Sequence, residues 1–230
     1  MYIPALKYTF YGPIVFTSII IGIVAACLLM KRAGAKKETV FYTAVFTCVT
    51  IIAVSFMMSI VLAGNIRAIS FVGAGGALGL MIGAVVSALI HRDHVPESIA
   101  AWIVAAPLMY GLSKISCHIA GCCNGIPYDG VLCVTYASKH GASYFPVQLL
   151  ETVVFLIIFA AGLALYLKSK DKMKAAVIVI TISCVAKVGL EFLRESHMGK
   201  IITGYQILVI CITAVFIAVA VPISNILNKS

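Results

Sequence analysis

The feature that most constrains this chain is a series of long stretches without a charged residue. Tyr8–Met30, Thr39–Ile66, Ala68–Ile90, Ser98–Ser113 and Ile201–Leu227 contain no Asp, Glu, Lys or Arg. Tyr144–Leu167 carries only Glu151, and Ala175–Leu193 carries Lys187 and Glu191. A run of about 20 apolar residues is what a helix needs to cross the hydrocarbon core of a bilayer. Inside lipid every backbone N–H and C=O must be satisfied within the segment, and a helix does this. With 62% apolar and 11% charged residues, a soluble domain of this size lacks the polar surface to cover itself. The expected fold is an all-α polytopic membrane protein of about seven transmembrane helices. No internal repeat or low-complexity tract divides residues 1–230, so one membrane domain is expected.

Lysine and arginine asymmetry sets the expected orientation. Lys31, Arg32, Lys36 and Lys37 follow the first span, and Lys168, Lys170, Lys172 and Lys174 follow the fifth. In a seven-span count both groups fall on one side, with Arg92 and Lys229. That side reads as the cytoplasm of a bacterial cell membrane, leaving the N-terminus outside. The net charge of +9 is then a topology signal rather than a mark of nucleic-acid binding. Val24-Ala25-Ala26-Cys27 has a faint likeness to a lipoprotein cleavage box, but positive charges follow it and the apolar run continues, so no cleaved leader is expected.

Ionisable groups within spans are costly and point to function by default. Lys187, Glu191 and Arg194 stand at i, i+4 and i+7 and share one helical face, which Ser183 extends inward. Gln148 and Glu151 share a face of the fifth span, and Lys114 ends the fourth at the same depth. Three helices thus place polar groups at one level, where cations in an apolar bundle suit a phosphate headgroup. Glu151 and Glu191 would hold those cations in position. The glycines of Gly73-Ala74-Gly75-Gly76-Ala77-Leu78-Gly79 read first as a close-packing device between helices, and second as a surface for a headgroup.

The segment Lys114–Ser143 does not fit a simple span. Gly121, Gly125 and Pro127-Tyr128-Asp129-Gly130 signal turns, and its apolar first part predicts a re-entrant or interfacial element in an external loop over residues 114–145. Cys117, Cys122, Cys123 and Cys133 lie here. Cys122 or Cys123 with Cys133 is a candidate disulfide on an outer face. The spacing of Cys117, His118, Cys122 and Cys123 matches no common structural zinc site, and no metal or cofactor is expected. His118 is a candidate general base by its ordinary pKa, with a plain loop histidine as the alternative.

Four blocks resemble prolipoprotein diacylglyceryl transferase, and more closely its short, cysteine-containing relatives. They are Gly75–Gly79, Lys114–Gly125, Pro146-Val147-Gln148-Leu149-Leu150-Glu151 and Lys187-Val188-Gly189-Leu190-Glu191-Phe192-Leu193-Arg194, in the family's order. The resemblance implies seven spans and transfer of a diacylglyceryl group from phosphatidylglycerol to a lipobox thiol of a lipoprotein precursor, with glycerol phosphate released. It implies a site in which His118, Lys114, Lys187 and Glu191 serve the chemistry. Arg194, Gln148, Glu151, Gly121, Asn124, Gly125, Gly75 and Gly76 would bind the lipid. Two positions that hold arginine in the family are Lys114 and Lys187 here, and a family histidine is Ala74. Lysine is a point charge where arginine is a bidentate fork, so the exchange is not conservative. Two other readings stand beside the transferase. One is a phospholipid-binding or transporting relative without the chemistry, and the other is a thiol redox protein using the loop cysteines.

Overall fold

The computed structural model describes residues 2–3, 10–67, 70–136 and 141–227. Lys229, counted above in the charge asymmetry, lies outside them. Among the described residues, seven helices are long and apolar enough to cross a membrane: α1 (Tyr11–Arg32), α2 (Lys37–Ala63), α3 (Gly73–His91), α4 (Val95–Ala120), α5 (Val147–Lys168), α6 (Lys172–Glu191) and α7 (Gly204–Leu227). The expected all-α polytopic membrane fold is what the chain adopts. α4 packs along α1 and α5, and α2 along α3. Around this core, Phe16, Leu28, Phe41, Met57, Ile157 and Ile210 turn outward, as side chains facing lipid do.

The α2–α3 contact shows how sequence makes packing. The buried residues of α2 are Thr39, Thr43, Thr47, Ile51, Ser55 and Ser59, a stripe repeating every fourth position. Against it lie glycines of α3. A Cβ added at Gly75 would sit 2.8 Å from Ser55 Cα, and Gly79 and Gly83 meet the Thr50 carbonyl and the Thr50 hydroxyl as closely. Small residues on both sides let the backbones approach, which is how helices associate without a hydrophobic drive between them. The Ser55 hydroxyl also donates to the Val72 carbonyl (2.9 Å) and accepts from the Val72 N–H (2.8 Å), pinning the start of α3.

The region between α4 and α5 differs from the expected loop. Lys114–Ala120 continues α4, because Lys114, Ser116, Cys117 and His118 are buried rather than leaving the bundle. Beyond it lies a small sheet of β1 (Tyr2–Ile3), β2 (Val134–Tyr136) and β3 (Ser143–Tyr144), with β1 parallel and β3 antiparallel to β2. This pairing puts the N-terminal strand and the α4–α5 connection at the same end of the bundle. Val131 and Leu132, 91% and 78% exposed, form an apolar tip on that connection.

Candidate functional site

At that end three spans and the extended backbone just after α6, which carries Arg194 off the helical face expected for it, place five charged side chains together, all buried. Glu151, on the second turn of α5, is the hub. Its Oε1 accepts from Lys187 Nζ (2.7 Å), Arg194 Nη2 (2.9 Å) and the Tyr110 hydroxyl (3.0 Å). Its Oε2 accepts from Arg194 Nη2 (2.8 Å) and lies 3.4 Å from Lys114 Nζ. Glu191 takes Lys187 at 3.1 Å and lies 3.2 Å from Arg194 Nε. Three cations surround two carboxylates, so the cluster carries a net charge of +1 in its ionised form. Charges out of water need such pairing, since an isolated one would forfeit most of its hydration. Burial works against the Arg194 charge, but the Glu151 carboxylate outweighs it and holds the guanidinium protonated.

Two aromatic residues complete the cluster, and sequence reasoning missed both. Lys114 Nζ stands 4.7 Å and Lys187 Nζ 5.7 Å from the Tyr110 ring, and Lys187 lies 5.0 Å from the Tyr205 ring. Tyr110 is one helical turn before Lys114, a spacing that would have marked it. Tyr205, at the start of α7, offers no local signal.

An apolar cavity of about 170 Å³ opens below the cluster. Lys187, Tyr110, Tyr205 and Ser183 line its charged end, while residues such as Leu80, Phe155, Ile180 and Ile212 line the rest. Gly76 and Ala74 also line it. Gly75 does not: it faces α2, so the packing reading holds for this glycine.

The remaining residues singled out from the sequence sit beside the cluster. Gly121 ends α4 in a left-handed conformation (φ +66°), which a residue without Cβ adopts at least cost. Gly125 bridges to Arg194, and a Cβ there would meet the Phe145 carbonyl. Gln148, fully buried, donates to the Cys122 carbonyl (2.8 Å) and leaves its Oε1 without a hydrogen-bond partner among the described residues. The Asn124 Oδ1 is likewise buried and unmatched among the described residues, while its backbone carbonyl accepts from Glu195 N–H (3.1 Å).

His118 is not part of the ion network among the described residues. It lies one turn beyond Lys114 on α4, with Nδ1 3.3 Å from the Tyr136 hydroxyl and Nε2 buried without a partner among the described residues. Burial pushes the Tyr136 phenol up to about 12, so it stays protonated and either donates to Nδ1 or accepts from Nδ1–H, according to the imidazole tautomer. The second case would leave the basic lone pair on Nε2.

No disulfide joins Cys122 or Cys123 to Cys133 among the described residues. The thiols of Cys122 and Cys123 gather with Cys117 instead, all within 4.8 Å. Hydrogen bonds from Cys117 and Cys122, then the nearby charges of Lys114 and Arg194, push the Cys123 thiol far below its ordinary range.

Fold and cluster together define a multi-pass membrane protein with a buried cationic site at one end of an apolar cavity. The sequence comparisons make that class specific. The family model described as prolipoprotein diacylglyceryl transferase matches residues 1–223, and the chain belongs to that family. A curated relative, "Phosphatidylglycerol--prolipoprotein diacylglyceryl transferase 2" of Clostridium perfringens (strain 13 / Type A), is 27% identical over 136 residues. The match covers 57% of this chain and 53% of the relative, about half of that protein's length.

Proposed function

We propose that this protein transfers a diacylglyceryl group from phosphatidylglycerol to a thiol, the lipobox cysteine of a lipoprotein precursor being the favoured acceptor. The observation that carries the reading is the cluster of Lys114, Lys187 and Arg194 held by Glu151 and Glu191 at the mouth of an apolar cavity. An anionic headgroup would meet the cations while an acyl chain enters the cavity. The acceptor thiol gives its proton to His118 Nε2, and the thiolate attacks the glyceryl carbon that bears the phosphate ester. The C–O bond breaks, and glycerol phosphate leaves with the electron pair, its charge stabilised by the three cations. Glu151 and Glu191 position those cations. Gln148, Asn124, Gly121 and Gly125 shape the turn beside them, and Gly76 lines the cavity.

The seven helices act as one domain in a bacterial cytoplasmic membrane, N-terminus outside and C-terminus within, as the lysine and arginine asymmetry supports. The test is incubation with phosphatidylglycerol and a lipobox peptide, following diacylglyceryl peptide and glycerol phosphate by mass spectrometry. Lys187→Ala and His118→Ala should each abolish most turnover while the protein stays folded; full turnover in both would overturn the assignment. Ala74 lines the cavity at a position where the resemblance expects a histidine, and this favours a second reading, a lipid-binding relative. Such a protein would retain phosphatidylglycerol through purification and release no glycerol phosphate.

A further inference from the structure

The transfer chemistry makes no use of Cys117, Cys122 and Cys123, yet the chain is built to hold their thiols together. α4 closes with two reversed hydrogen bonds, Cys122 N–H to the Cys117 carbonyl (3.1 Å) and Gly121 N–H to the His118 carbonyl (3.4 Å). This double closure around a left-handed residue is the Schellman ending of a helix. It folds Cys122 back towards Cys117, five positions earlier. Cys123 then adopts a left-handed backbone itself, φ +56°, which is unfavourable for a non-glycine residue and persists only where the surroundings enforce it. Those surroundings are the Gln148 amide on the Cys122 carbonyl and the Glu195 N–H on the Asn124 carbonyl. The turn is thereby fixed from α5 and from the segment after α6.

We propose that Cys117, Cys122 and Cys123 form a trithiolate site for a thiophilic divalent metal ion of the zinc class. The three Sγ atoms lie within 4.8 Å of one another. Metal–sulfur bonds of about 2.3 Å place three sulfurs roughly 4 Å apart around one ion, so a small convergence suffices. A set of thiolates selects soft or borderline ions over calcium and magnesium. All three sulfurs bind as thiolates, any proton still on a thiol passing to water, and the complex carries a charge of −1. Lys114, one turn before Cys117, interacts electrostatically with Cys117 and Cys123 and offsets that charge. Cys117 is buried, Cys122 half-buried and Cys123 exposed, so an ion enters from the aqueous side and a water completes its coordination. The role is to tie the end of α4 to the turn that carries Asn124 and Gly125. Sequence spacing pointed away from a metal because the helix ending, and not a Cys-x-x-Cys motif, brings these thiols together.

The full chain, in lipid nanodiscs, reduced with a phosphine and stripped with a chelator, is titrated with Cd²⁺ while the thiolate-to-cadmium charge-transfer absorption is followed. One ion per chain is expected, with affinity reduced at least tenfold in Cys117→Ser and in Cys122→Ser. Cys184→Ser and Cys211→Ser, at sites within α6 and α7, should leave the titration unchanged. In the unsubstituted protein, bound Cd²⁺ should protect three thiols from maleimide, identified by mass spectrometry as Cys117, Cys122 and Cys123; this reading is independent of whether a variant folds. Protection of any other set overturns the proposal, as does a titration without the charge-transfer band. Air oxidation that joins two of the three thiols equally fast with and without Cd²⁺ also overturns it and identifies a redox pair.

Discussion

Replacing Glu151 by glutamine tests whether the buried cluster is one electrostatic unit. The carboxylate is fully buried and meets Lys187 at 2.7 Å, Arg194 at 2.8 Å and Lys114 at 3.4 Å. Glutamine keeps the shape but removes the charge and turns an NH₂ group towards donors. The cluster's net charge then rises from +1 to +2, with Glu191 alone to balance three cations. Removing one partner of a buried ion pair costs about 3–5 kcal/mol. For a chain of this length each kcal/mol moves the midpoint by about 2–4 °C, which gives a fall in Tm of roughly 6–20 °C. The assay is thermal unfolding in nanodiscs, followed by the reactivity of the thiols inside the spans. Adding Lys187→Met to Glu151→Gln removes one excess cation, so the double variant should be more stable than the two single losses predict, by about 1 kcal/mol or more. A fall in Tm below about 2 °C, or additivity within roughly 0.5 kcal/mol, would refute a cluster centred on Glu151.

Three further outcomes follow from other parts of the fold. Gly75→Leu forces a Cβ to 2.8 Å from Ser55 Cα, so it should lower stability by about 1–3 kcal/mol; Gly73→Ala, with nothing within 4 Å, should change thermal unfolding by less than about 0.5 kcal/mol. In intact cells an impermeant maleimide should label Val131→Cys, whereas Lys170→Cys should label only after permeabilisation, each measured above the parent's own thiols; the reverse pattern would invert the topology. Partial burial raises the Asp93 carboxyl, but the Lys36 N–H and the Thr39 hydroxyl outweigh this and hold it below the usual range. Such a group contributes stability that is present above its unfolded value near pH 4 and lost as pH falls through its folded value, so Asp93→Asn should flatten the acid limb of a stability–pH curve.

How much of this was legible in the sequence depended on whether the information was local. Charge-free runs mark seven spans because the cost of charge in lipid acts residue by residue. The end of α4 was misjudged for the complementary reason. Lys114 reads as an exit from the membrane until Glu151, on another helix, is found beside it. The ion cluster was legible in outline, since Lys187 and Glu191 share a face of α6, but α6 ends at Glu191 and Arg194 joins from the extended backbone beyond it, and the hub was not legible. Glu151 as the common acceptor, and Tyr110 and Tyr205 as walls, depend on how α4, α5, α6 and α7 meet. The three-stranded sheet was invisible because its first strand pairs with a segment more than 130 residues away.

The geometry also bears on how lysine would serve at the two positions where the resemblance expects arginine. Arg194 spans both carboxylates, its Nη2 reaching both oxygens of Glu151 while Nε lies beside Glu191. The planar fork is therefore already engaged at one position, and it sets the orientation of the cluster. Lys114 and Lys187 need only supply positive charge at fixed depth: Lys114 is steered by Glu151 alone, Lys187 by Glu151 and Glu191, and both by the face of Tyr110. A point charge satisfies that demand, while a second or third guanidinium would need further planar acceptors that Glu151 and Glu191 do not offer. Lys187→Arg should therefore lower stability rather than restore a better clamp, and thermal unfolding of that one variant decides the matter. A stabilised Lys187→Arg would mean that the cluster has room for an arginine fork and that the lysine is a weakened copy of it.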